Sequence, residues 1–95
     1  MGWKAEAHKI YEARVVDDAL ARLAKKIDVG ALPLSKEELR TLAKRARQAL
    51  HGSPKTKERF ERYQTHLSAT HGEEVVRTVS AALVEINNAI GYEEK

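Results

Sequence analysis

Apolar residues recur at helical spacing in four stretches of the chain, and glycine or proline falls in each gap between them. No stretch alternates apolar and polar residues long enough to make a strand. The pattern predicts helices over about 3–28, 36–51, 54–70 and 73–90, with 92–95 as a frayed tail. In the first, Val16, Leu20, Leu23 and Ile27 recur at i, i+4, i+7 and i+11 with Ala13 and Ala24 beside them, and Gly30 is placed to cap the C-terminus. The second has the best-marked start. Ser35 followed three residues on by Glu38 is a capping box, and Leu34 and Leu39 stand where a hydrophobic staple needs them. Leu39, Leu42, Ala43, Ala46, Ala49 and Leu50 then form a buried arc ending at Gly52.

The third helix opens on Ser53 as cap and Pro54 at the first helical position, where a missing N–H leaves no bond unmade, and carries a narrow seam of Phe60, Tyr63 and Leu67. Gly72 breaks the chain. Glu73 and Glu74 then put negative charge where the dipole of the fourth helix favours it. Val75, Val76, Val79, Ala82, Leu83, Ile86 and Ile90 share one side of that helix, with Gly91 as its stop. Connections this short join antiparallel neighbours. The expected fold is therefore all-α, one compact domain of four short helices arranged like a helical bundle.

Composition narrows the function classes. The 95 residues suffice for one core, and 42% hydrophobic with 33% charged residues describes a globular chain. The absence of cysteine excludes a disulfide framework, thiol catalysis and the common structural zinc sites. No apolar run approaches the ~20 residues that cross a bilayer. Lys4, Glu6, His8 and Lys9 interrupt anything like the apolar region of a signal peptide, so the expected location is cytoplasmic.

Charge is sorted along the chain. From Lys36 to Arg62 there are nine Lys and Arg against four acids, a net of +5, whereas from Gly72 onward two basic residues face five acids, a net of −3. On a helical wheel Lys36, Arg40, Lys44, Arg47 and His51 fall within about 80° on the second helix, beside its apolar arc. On the third, Lys55, Arg59, Arg62 and His66 fall within roughly 60°, with Tyr63 at the boundary. In a hairpin the two stripes could line one face. Cations at this spacing suit a phosphodiester backbone, and a tyrosine beside them suits a base. An amphipathic helix also carries charges beside its arc as a matter of course. Lys55 and Lys57, however, stand in the first turn of a helix, where the dipole disfavours cations. A phosphate held by the free N–H groups, the Ser53 and Thr56 hydroxyls and these lysines would compensate.

Other chemistry is not carried by the spacing. His66 and His71 lie five residues apart, about 140° around a helix, and no histidine pair has i, i+4 spacing, so no metal and no cofactor is expected. Asp17/Asp18, Glu37/Glu38 and Glu73/Glu74 are sequence neighbours whose side chains diverge, and Ser35 and Ser53 already serve as caps. No catalytic activity is expected. The stretch 20–29 resembles the opening of a helix-turn-helix, with Ala24 and Val29 in favoured places. Asp28 stands where the turn glycine belongs and Pro33 falls inside the recognition helix, so the motif is not completed.

In the first helix Trp3, Ala7 and Ile10 lie on a stripe rotated well away from the Val16/Leu20/Leu23/Ile27 stripe. Either they fold over the domain's own end or they form a patch for a partner or a second copy. The expected function is a binding module that contacts DNA or RNA phosphates through Lys36, Arg40, Lys44, Arg47, Lys55, Lys57, Arg59, Arg62, Tyr63 and His66. The alternative is a protein-interaction module, a homodimer or an assembly subunit, working through Trp3, Ala7 and Ile10 or through the acidic last helix.

Overall fold

The computed structural model describes the backbone of residues 2–93 and the side chains of residues 11–91 and 93. It is all-α and bundle-like: α1 spans Gly2–Lys26, α2 Lys36–His51, α3 Pro54–His71 and α4 Glu73–Glu93, with a 3-10 turn at Val29–Ala31. There is no strand among the described residues. Helices α2 and α4 pack against each other and against both remaining helices, whereas among the described residues no comparable contact joins α1 to α3.

Side-chain pairs fix the directions. Asp17 meets Arg40 and Tyr11 meets Arg47, so α1 runs antiparallel to α2. Tyr63 meets Arg45 and His71 meets Glu38, so α3 does too. Helices α2 and α4 run in the same sense across the diagonal, where Asn87 Nδ2 donates to the Ala43 carbonyl at 3.4 Å and Gly91 lies against the His51 ring. Ala43 and Ala46, both fully buried, let the two backbones approach.

One cluster fills the space between the four helices. Leu23, Leu42, Leu67 and Leu83, one from each helix, are completely inaccessible within it. The buried arc of α2 is the one its periodicity predicts, except that Leu50 at the helix end is half-buried. On α1 the buried face is Val15, Val16, Ala19 and Leu23, rotated roughly 70° from the predicted arc. Ala13 and Ala24 are exposed, and Leu20 and Ile27 are half-buried. The rotation follows from packing: α1 sits against both α2 and α4, so the side between them is the one that disappears from solvent.

Helix ends show where local chemistry acts. At α2 the Ser35 Oγ accepts the Glu38 N–H at 3.1 Å, and Glu38 Oε1 accepts the Ser35 N–H at 2.8 Å. Helix α1 stops at Lys26, two residues before the predicted end, because Asp28 is extended. Gly30 lies in the 3-10 turn instead of capping α1, and Leu32, preceding Pro33, is extended as the proline ring requires. Ser53 occupies the cap position of α3 without a side-chain bond. Its carbonyl accepts the Thr56 hydroxyl at 2.7 Å. Gly91 does not stop α4, which continues to Glu93, where the carboxylate takes both Arg22 guanidinium nitrogens at 2.6 and 3.0 Å.

Glu38 has a second partner, since His71 Nε2 lies 3.1 Å from each of its oxygens and so ties the start of α2 to the end of α3. The Ser35 N–H, and after it His71, hold the Glu38 carboxyl below its ordinary value of 4.5. A depressed carboxyl contributes stability that is present above the ordinary value and is lost as pH falls through the lower folded one. Urea unfolding followed by circular dichroism should therefore show two effects. Ser35→Ala costs about 1 kcal/mol at pH 7. Glu38→Gln removes part of the parent's loss of stability below about pH 4.5.

Candidate nucleic-acid interface

The predicted cations do not share one face, because α1 and α3 flank α2 on opposite sides. On the α1 side Arg40 is ion-paired with Asp17, and it lines with Lys44 a cleft of about 380 Å³ whose other wall includes Glu12, Ala13 and Val16. The Arg47 guanidinium lies 5.7 Å from the Tyr11 ring centroid. Lys36 is exposed beside Leu20 and Leu39, at the mouth of an apolar cleft. His51 packs toward Gly91. Much of the α2 stripe thus braces the domain against α1 and α4.

The α3 stripe meets a different residue of α2. Arg59, Arg62, Tyr63 and His66 line a shallow cleft of about 300 Å³ together with Arg45. Arg45 stands on the α3-facing flank of α2, two turns from Glu38, which makes the other cross-helix contact there. Sequence reasoning missed it because a wheel drawn for one helix separates Arg45 from the main stripe. The available signal was the antiparallel register of the two helices, which sets position 45 opposite 63.

The geometry around Tyr63 is specific. The Arg45 guanidinium carbon lies 5.5 Å from the ring centroid, and the His66 ring stacks against Tyr63 with centroids 6.1 Å apart and planes inclined by 29°. Arg45 Nε is buried without a hydrogen-bond partner. Arg62 bonds Glu58 one turn away at 2.5 Å while staying largely exposed. Arg59 is exposed, and no carboxylate pairs with it or with Arg45 among the described residues. By contrast Arg22, Lys26, Arg40 and Arg77 each meet an acid. The cleft therefore concentrates positive charge that the fold leaves largely unneutralised, and Arg guanidinium groups present planar forks matched to phosphate oxygens.

At the start of α3, Lys55 and Lys57 are exposed, but the Thr56 hydroxyl is turned back onto Ser53. The expected anion cradle there loses one of its donors. Trp3, Ala7 and Ile10, the expected partner patch, lie outside the residues whose side chains are described. Among the described residues no group of three His, Asp or Glu side chains could hold a metal ion, and no helix is long and apolar enough to cross a membrane. Compared with protein-family models, with curated proteins and with solved structures, the chain finds no match in any of the three.

Proposed function

We infer that this chain is a small helical module that binds the phosphate backbone of nucleic acid, with α3 as its contact element and Arg45 contributed from α2. The observation that carries the reading is the convergence of Arg45, Arg59, Arg62 and His66 on one cleft, with Arg45 and Arg59 lacking carboxylate partners among the described residues. Lys55 and Lys57, exposed on the same helix, extend the charge toward its start. Arg40 and Arg47 take supporting roles through Asp17 and Tyr11, and Lys36 and Lys44 add long-range attraction.

Salt dependence tests this directly. Three to four phosphates neutralised on a duplex give log K against log salt a slope of about −3 to −4. Arg59→Gln and Arg62→Gln each weaken binding on any sequence and reduce the slope by about one. Arg77→Gln, which removes an exposed cation paired with Glu73, serves as the control and changes little. Absence of binding at ~50 mM salt, or equal losses at the cleft and control positions, rejects the reading.

A second reading, a protein-interaction module without catalytic activity, draws on the apolar cleft of about 400 Å³ formed by Leu20, Val29, Leu32, Leu34 and Leu39 where the 3-10 turn meets α2. Rejection of phosphate binding combined with self-association by light scattering would favour it.

A further inference from the structure

We propose that Arg45 is the anchoring phosphate ligand of the cleft, that Tyr63 is a positioning residue holding it, and that the ligand is recognised through its phosphodiester chain without stacking of a base. This rests on the nucleic-acid reading above and adds what part of the ligand is read. A tyrosine beside a row of cations is ordinarily available to stack on a nucleobase. Here the ring is occupied, with the Arg45 guanidinium over it and the His66 imidazole stacked against it. A base reaching Tyr63 would displace one or both.

Arg45 has reason to keep its place. It crosses from α2 to α3 and is half-buried, and its Nε is shielded from water with no acceptor. Attraction to the ring face offsets part of that desolvation. The guanidinium is thereby held at the wall of the cleft, where an anion would complete its electrostatics. Around it Arg59, Arg62 and His66 add donors, and the one further ring among them, the His66 imidazole, is itself stacked against Tyr63. Phe60, the neighbouring aromatic of α3, is half-buried against the core. The face therefore offers mainly charge and N–H donors, the chemistry that meets phosphate oxygens, with its two rings engaged with each other.

The test compares two single strands of equal length, an ordinary oligodeoxynucleotide and one whose nucleotides are all abasic, titrated against the full chain at low salt. The expected result is dissociation constants within about threefold of each other and parallel salt slopes. Base stacking on Tyr63 would instead favour the base-bearing strand by roughly 5- to 150-fold per stacked base. Such a gap, abolished by Tyr63→Leu, overturns the proposal while leaving phosphate binding intact. Failure of both strands and of duplex to bind overturns the underlying reading as well.

Variants locate the anchor. Arg45→Gln should weaken both strands by the same factor and reduce the single-strand slope by about 0.7, the loss of one contact. Tyr63→Leu should do likewise, and Tyr63→Phe, which keeps a ring under the guanidinium, should restore binding. An Arg45→Gln protein that keeps its helicity and binds as the parent does overturns the assignment of Arg45. The comparison of the two strands on the unaltered chain stands even if Tyr63→Leu fails to fold.

Discussion

Truncating Leu83 to alanine is expected to lower the free energy of unfolding by about 2–5 kcal/mol. Leu83 lies near the middle of α4 and is completely inaccessible, as are Leu23, Leu42 and Leu67 in the same cluster. Helix α4 packs against all three others, so no single neighbour can shift to close the space without disturbing the rest. The loss therefore includes both the transfer of the missing methyl groups and an unrelaxed cavity. A chain of this length has about 5–14 kcal/mol of stability in all, at roughly 0.05–0.15 kcal/mol per residue. Urea denaturation followed at the helical circular-dichroism band should show a clear fall in midpoint with little change in slope. Leu50→Ala, at a half-buried helix end, should lose less. A change at Leu83 below about 0.5 kcal/mol, the size seen at surface sites, would contradict its place in the core.

Asn87→Asp should be comparably severe at neutral pH, although the two side chains have nearly the same shape. Asn87 is 1% exposed, and its Nδ2 donates to the carbonyls of Ala43 at 3.4 Å and Leu83 at 2.9 Å. A carboxylate there turns two donor–acceptor contacts into oxygen facing oxygen and buries a charge at a position only 1% exposed. An uncompensated buried charge costs about 3–5 kcal/mol. Burial raises the pKa of the new carboxyl in the folded state. The variant's relative stability is therefore best below the unfolded aspartate value of about 3.9 and is lost as pH rises through the folded one. Difference curves of variant minus parent should narrow in acid, where the protonated group has an O–H to donate. A gap that is constant from pH 4 to pH 8 would mean that the carboxyl reaches water.

These two residues show what the sequence reveals and what it hides. Leu83 is legible because it repeats with Val76, Val79, Ile86 and Ile90 on one side of a helix, and periodicity alone sends that side inward. Asn87 stands on the same side and is invisible to hydropathy. Its burial depends on a carbonyl of α2, 44 positions away, that only tertiary packing presents. Ser80, also buried and without a bond from its hydroxyl, is hidden in the same way. The capping box was legible in full because Ser35 and Glu38 are three residues apart, and local geometry decides their contact.

The candidate site was legible by half. The α3 cations and Tyr63 follow from a single helical wheel. Their partner on α2 does not, because flank residues are assigned to neighbours by which helix packs on which side. Lys36, Arg40, Lys44 and Arg47 fell to the α1 side, and Arg45 to the α3 side.

Gly52 and Gly72, which end α2 and α3, are glycines for different reasons. Gly72 has φ of 102°, a conformation L side chains rarely adopt, with open space around it. Gly52 is extended at φ −114°, which any residue could adopt, but a Cβ there would lie 2.5 Å from the Gln48 carbonyl oxygen and 2.2 Å from Thr56 Oγ1. The chain crosses from α2 to α3 through a fulcrum with no steric clearance. A side chain at that point would have to displace the Gln48 carbonyl of α2 as well as the Thr56 hydroxyl of α3, and so would strain the junction between the helices that carry Arg45 and Tyr63. The spacing of Arg45 and Tyr63 is thus linked to a residue outside their cleft, as the span of a pair of calipers is linked to its pivot.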